Sequence, residues 1–166
     1  MNESEFKSES LTGVWLTQEG YERLQAELEN LTTVKRPEIA DRIRESQQHG
    51  EFSEDNSELD EVKLEQAFVE SRIGELKVIF AAAQVLTHDK IPTDVVGLGS
   101  VVTLEDPDYG DFEIQLVSSI EADPSRDILS DESPMGAAML GKREGEVVKF
   151  MTPEGQRAFK IKKIQK

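Results

Sequence analysis

The sequence predicts an α+β protein, with a long antiparallel coiled-coil hairpin at the N-terminal side and a small antiparallel-sheet domain after it. Three observations carry this. Apolar residues recur at helical spacing over two long stretches, and a short acidic segment separates those stretches. Beyond about residue 98 the apolar period falls to two, the signature of half-buried strands. The expected divisions are a tail over 1–13, the hairpin over 14–86 with its acidic tip at 50–58, a linker over 87–98, and the sheet domain over 99–166.

Residues 1–13 are rich in Glu, Ser and Asn with little to bury, and read as a mobile tail. Thr17 followed by Glu19 has the form of a helix N-cap with an acid in the first turn. Leu24, Leu28 and Leu31 then lie on one helical stripe. Pro37 cannot donate to a helix and crowds the preceding turn, so a kink or short break is expected near Arg36. The pattern resumes at Ile39 and Ile43 and stops at His49-Gly50, where glycine suits a helix C-terminus. From Thr17 to His49 the helical stretch would extend on the order of 50 Å at about 1.5 Å per residue.

In the second stretch Leu59, Val62, Gln66, Val69, Ile73, Leu76 and Phe80 alternate steps of three and four, a coiled-coil seam with one polar position. Gln66 there either sets register or is a tolerated defect. Two helices joined by only about six residues must run antiparallel, because so short a loop cannot return the chain to the far end. The sheet domain follows the linker: strands over 99–104 and 112–117, a short helix over 134–140, and a final hairpin of 147–151 with 158–164.

Charge is unevenly spread. Formal net charge is -15, which argues against gripping a nucleic-acid backbone by bulk electrostatics. Between Glu51 and Glu61 there are six carboxylates and no basic residue. Six basic residues from Lys149 to Lys166 face a single acid, Glu154, which fits either a solvated edge strand guarded by lysines or a docking patch. With no cysteine, thiolate and disulfide chemistry is excluded, and His49 and His88 are too far apart for ligand-like spacing. Neither a membrane span nor a signal peptide is legible, so a soluble, cytoplasmic protein is expected.

At the tip, Glu51 with Glu54 or Asp55 offers the partial carboxylate shell by which Mg²⁺ is usually shared with a substrate phosphate. The competing reading is that acids at the start of a helix complement its dipole, which suffices for Glu58, Asp60 and Glu61.

Several separated motifs, in order, resemble the bacterial transcript cleavage factors of the GreA/GreB family. They are Leu16-Thr17-x-x-Gly20-Tyr21, Lys35-Arg36-Pro37-Glu38-Ile39, His49-Gly50-Glu51-Phe52-Ser53-Glu54, Glu65-Gln66-x-Phe68-x-Glu70-x-Arg72-Ile73, Ser133-Pro134-x-Gly136 and Leu140-Gly141-Lys142. The resemblance implies a C-terminal domain similar to the FKBP fold and a monomeric accessory factor, not a free-standing enzyme. It implies docking on bacterial RNA polymerase through the C-terminal domain, with Ser133, Pro134 and Gly136 at the contact, and passage of the hairpin down the secondary channel. There Glu51 and Glu54, or Asp55 if the tip register shifts, would help hold Mg²⁺ jointly with the polymerase and stimulate cleavage of the backtracked nascent RNA. Lys35 and Arg36 would contact that RNA or the channel wall, against the plain reading of a solvated turn.

The tip departs from the family pattern, with Glu51 in place of aspartate, Phe52 of leucine, Leu59 of tyrosine, and one residue more. A slack carboxylate shell weakens positioning. The rival expectation is therefore a factor that occupies the channel without promoting hydrolysis.

Overall fold

The computed structural model describes residues 13–49 and 57–166. Two compact units emerge: Tyr21–Ala82, and the described residues up to Gly20 together with Ala83–Lys166.

The first unit is the helical hairpin. Helix α1 spans Gln18–Asn30, a π-helical turn follows over Leu31–Lys35, and α2 continues over Arg36–His49. Helix α3 spans Ser57–Ala82. The arms run antiparallel, because Glu27 pairs with Arg72, Arg36 with Glu70 and Arg42 with Glu65. Leu24 and Ile39 of the first arm and Val62, Ile73, Leu76 and Ile79 of α3 are buried. Tyr21 and Phe80 close the base edge to face at 5.2 Å, the geometry the ring quadrupoles favour.

Two expectations are refined here. The kink or short break expected near Arg36 takes the form of a π-helical turn, and the arm stays helical through Pro37. Arg36 donates its backbone N–H to the Leu31 carbonyl, one residue beyond the α-helical partner. The hydroxyls of Thr32 and Thr33 donate to the carbonyls of Leu28 and Glu29 at 2.8 and 2.7 Å. Phase explains the wider turn. Leu31 and Ile39 are eight residues apart, whereas two α-helical turns take about 7.2. A π-turn absorbs the surplus and keeps both on the seam. The second is Gln66, which is exposed and off the seam.

The second unit begins with a pair the periodicity does not reveal: β1 (Val14–Thr17) runs parallel to β2 (Ala83–Leu86). The main sheet contains β3 (Val101–Asp106), β4 (Gly110–Val117), β5 (Ile128–Ser130), β6 (Val147–Thr152) and β7 (Gly155–Gln165), in the order β5-β4-β3-β7-β6. It is antiparallel except at β4 and β5, which run parallel. The short helix α4 (Pro134–Met139) delivers Met139 to a core of Val102, Leu104, Leu116, Val148, Phe159 and Ile161. Truncating a fully buried member such as Leu104 or Ile161 to alanine would cost about 2–5 kcal/mol. Within 87–98, Ile91 and Val96 are buried, and the Val96 N–H donates to the Lys142 carbonyl at 2.8 Å.

The basic strand is an interior strand, not the edge strand expected. β7 lies between β3 and β6, and its lysines face acids across the outer surface: Lys160 sits opposite Glu105, and Lys162 reaches Asp111 at 2.7 Å. The register shifts between Thr103 and Leu104, leaving Lys162 as an extra residue on β7. That bulge explains how Ile161 and Ile164, three apart, both face the core.

Candidate functional site

The acids expected at the tip, Glu51, Glu54 and Asp55, lie outside the described residues. What the structure supplies is their setting. The chain between His49 and Ser57 connects the paired ends of α2 and α3. Glu58 and Asp60 occupy the first turn of α3, where carboxylates complement the helix dipole. Among the described residues no group of three or more His, Asp or Glu side chains could hold a metal ion. Carboxylate oxygens of the kind the tip acids carry are the donor type Mg²⁺ takes.

Lys35 and Arg36, the expected contacts to RNA or channel, differ in availability. Lys35 is exposed, with Glu38 3.9 Å away, a loose surface pair. Arg36 holds Glu70 in a two-pronged grip at 2.7 and 2.8 Å across the hairpin. Those hydrogen bonds draw the Glu70 carboxyl below its ordinary value and raise the guanidinium. Any contact of Arg36 with an anion would exchange against Glu70. Further along, Arg72 donates to both oxygens of Glu27 and to Glu75, and the bond to Glu27 is the main cause that raises its pKa.

Ser133, Pro134 and Gly136 build the start of α4. The Ser133 hydroxyl donates to the Ser130 carbonyl at 2.6 Å and accepts from the Gly136 N–H at 3.0 Å. Pro134 occupies the first turn, where its missing N–H costs nothing. A Cβ on Gly136 would collide with the Ser130 carbonyl. Of the three, only Pro134 is exposed. Beside them Asp131 has its pKa raised, first by burial and then by the neighbouring Glu132.

Sequence reasoning missed Glu121. It is a buried carboxylate in the turn after β4, and it accepts from the Thr17 N–H at 3.0 Å and from the Thr17 hydroxyl. The same hydroxyl accepts from the Gly20 N–H at 3.1 Å, capping α1. At Gly20 a Cβ would fall inside the Glu121 carboxyl group. The Leu16-Thr17-x-x-Gly20 motif thus has a physical basis: a buried leucine, a cap, and a gap for the carboxylate. Its signal in the sequence was the pairing of a cap threonine with an unexplained glycine inside the first helical turn.

The chain combines a helical hairpin with a mixed-sheet unit, and comparison with known proteins gives its class, a transcription elongation factor. The family model for "Transcription elongation factor, N-terminal" matches residues 14–85, and that for "Transcription elongation factor, GreA/GreB, C-term" matches 91–166. Similar relatives include the transcription elongation factor GreA of Acetivibrio thermocellus, 46% identical over 92% of this chain and 96% of the relative. That of Clostridioides difficile is 44% identical over 91% of this chain and 95% of the relative. The crystal structure of GreA factor homolog 1 (Gfh1) of Thermus thermophilus is 38% identical, with 93% of this chain and 99% of that chain covered and a TM-score of 0.42. The chain belongs to the GreA/GreB family of transcription elongation factors. None of its described helices is long and apolar enough to cross a membrane.

Proposed function

We propose that the chain binds bacterial RNA polymerase, inserts its hairpin into the secondary channel, and stimulates the polymerase's own cleavage of backtracked RNA. The observation that supports this most directly is the placing of a six-acid segment at the junction of two antiparallel arms. Carboxylates at the end of a probe are suited to meeting a cation in a partner, and self-repulsion makes them poorly suited to one another. Glu51 with Glu54, or with Asp55, would hold Mg²⁺ together with polymerase side chains. When bound, that ion stabilises the attacking and leaving oxygens of a phosphoryl displacement. The chain's own part is to supply two or three carboxylates at a defined place and to stay bound while the polymerase reacts. Docking runs through the exposed loop at Pro134, shaped by Ser133 and Gly136, and Lys35 faces the RNA or the channel wall.

The test is RNA shortening in a stalled, backtracked complex. Glu51→Ala and Glu54→Ala should each bind polymerase as the unaltered chain does and abolish stimulated cleavage. Full cleavage by both variants would overturn the assignment of roles. Binding without any shortening by the unaltered chain would instead identify a modulator that occupies the channel.

A further inference from the structure

Helix α3 carries a second seam. Leu64, Ala67, Ser71, Gly74 and Val78 alternate steps of three and four, the spacing that helix packing requires, and all five are exposed. The large members are far out of place for a solvated face: Leu64 is 58% exposed and Val78 72%, and the adjoining Phe68 is 67%. Glu75, four residues after Ser71 and three before Val78, borders this line, and its charge is paired with Arg72 at 3.0 Å. The other arm behaves as expected of a surface helix, presenting Glu38, Asp41, Arg42, Arg44 and Glu45 to solvent. Gly74 adds an independent observation. A Cβ there would meet nothing within 4 Å, so the hairpin does not need glycine, and glycine is a poor choice for a helix interior. Its absence of side chain, between Ser71 and Val78, leaves a hollow in which another surface can come close to the helix backbone.

The geometry points to this outward stripe of α3 as the face by which the hairpin packs against a neutral, apolar protein wall, which on the proposed function is the wall of the polymerase channel. The chemistry excludes an RNA backbone, since the stripe has no Lys or Arg to neutralise phosphate. Size argues against a second copy. From Leu64 to Val78 the stripe runs roughly 21 Å, which with a helix about 10 Å wide presents on the order of 200 Å². A stable pair needs about 800 Å² from each partner. So small a surface suffices only where other contacts of the same chain already hold the partner, as the sheet domain and the tip do in the proposed complex. This inference rests on that reading.

The double variant Leu64→Ser/Phe68→Ser in the full-length chain removes apolar surface and adds no charge. Because both side chains are exposed, thermal unfolding should stay unchanged, which separates packing on a partner from folding. Titration of the unaltered chain and the variant into backtracked polymerase complexes, read by RNA shortening, should raise the half-saturating concentration about tenfold or more, with the same cleavage rate at saturation. Equal half-saturation would overturn the inference while leaving the proposed function standing. If the unaltered chain fails to bind polymerase, the proposed function falls, and the assignment of the wall with it. Sedimentation equilibrium of the free protein provides the remaining arm: a dimer that the double variant abolishes would make a second copy the occupant and overturn the wall.

Discussion

Thr17 gives both its backbone N–H and its hydroxyl to the buried carboxylate of Glu121, 104 residues away in the chain. The same carboxylate fills the space that a side chain at Gly20 would need. Gly20→Ala should therefore cost about 1–3 kcal/mol through overpacking. Moving Glu121 aside would sacrifice its hydrogen bonds. In a Glu121→Ala background the same substitution should cost much less, so a double-mutant cycle by chemical denaturation should return a large coupling. Additive effects would show that Gly20 has another role.

At Arg72 shape decides. Its guanidinium holds both oxygens of Glu27 and one of Glu75, a fork that a lysine ammonium cannot reproduce. Arg72→Ala should lower the melting temperature, and Arg72→Lys should recover little of the loss despite keeping the charge. Full recovery by lysine would mean that charge alone mattered.

Asp131 should make stability depend on pH in the less usual direction. Its folded pKa lies above the ordinary aspartate value of 3.8, because burial and Glu132 disfavour the charged form. The folded state binds the proton more tightly than the unfolded state, so stability is lost as pH rises from 3.8 through the raised value. Asp131→Asn should be the more stable protein at neutral pH and should lose that advantage below the ordinary value. Thermal melts across this range would show it, and a constant difference would refute it.

Ser133 and Gly136 should prove structural whatever else their loop does. Losing the Ser133 cap should cost about 1 kcal/mol. Gly136→Ala should cost more, because its Cβ meets backbone that cannot rotate away. Pro134→Ala, at an exposed site, should leave stability nearly unchanged and lower affinity for polymerase. Melting curves with a binding titration for the three variants separate the two functions of the loop.

The hairpin was legible because its information is local. Apolar spacing fixes which face of α3 is buried, and the short connection fixes its direction. The strands β3, β4, β6 and β7 were legible through alternation. What escaped depends on partners distant in the chain. β1 and β2 are four residues each and share no period with anything nearby. Glu121 resembles every other surface acid until Thr17 is placed against it. Gln66 falls on the ideal seam by spacing alone, yet it lies exposed, because which residues an arm buries is settled by the arm it faces. Pro37 announced a disturbance without saying that it would be absorbed as a wider turn.

The position of β7 has a consequence for the order in which the domain can form. Synthesis delivers β3, β4 and β5 first and β6 next, yet β6 has no strand partner until β7 enters between it and β3. Until Phe159, Ile161 and Ile164 are available, β3 is an open edge and Leu104 and Val148 have no shared core. The sheet should therefore close late and in one step, with the hairpin already made, and a chain interrupted before Ile161 should expose that edge to aggregation instead of resting as a stable half-domain.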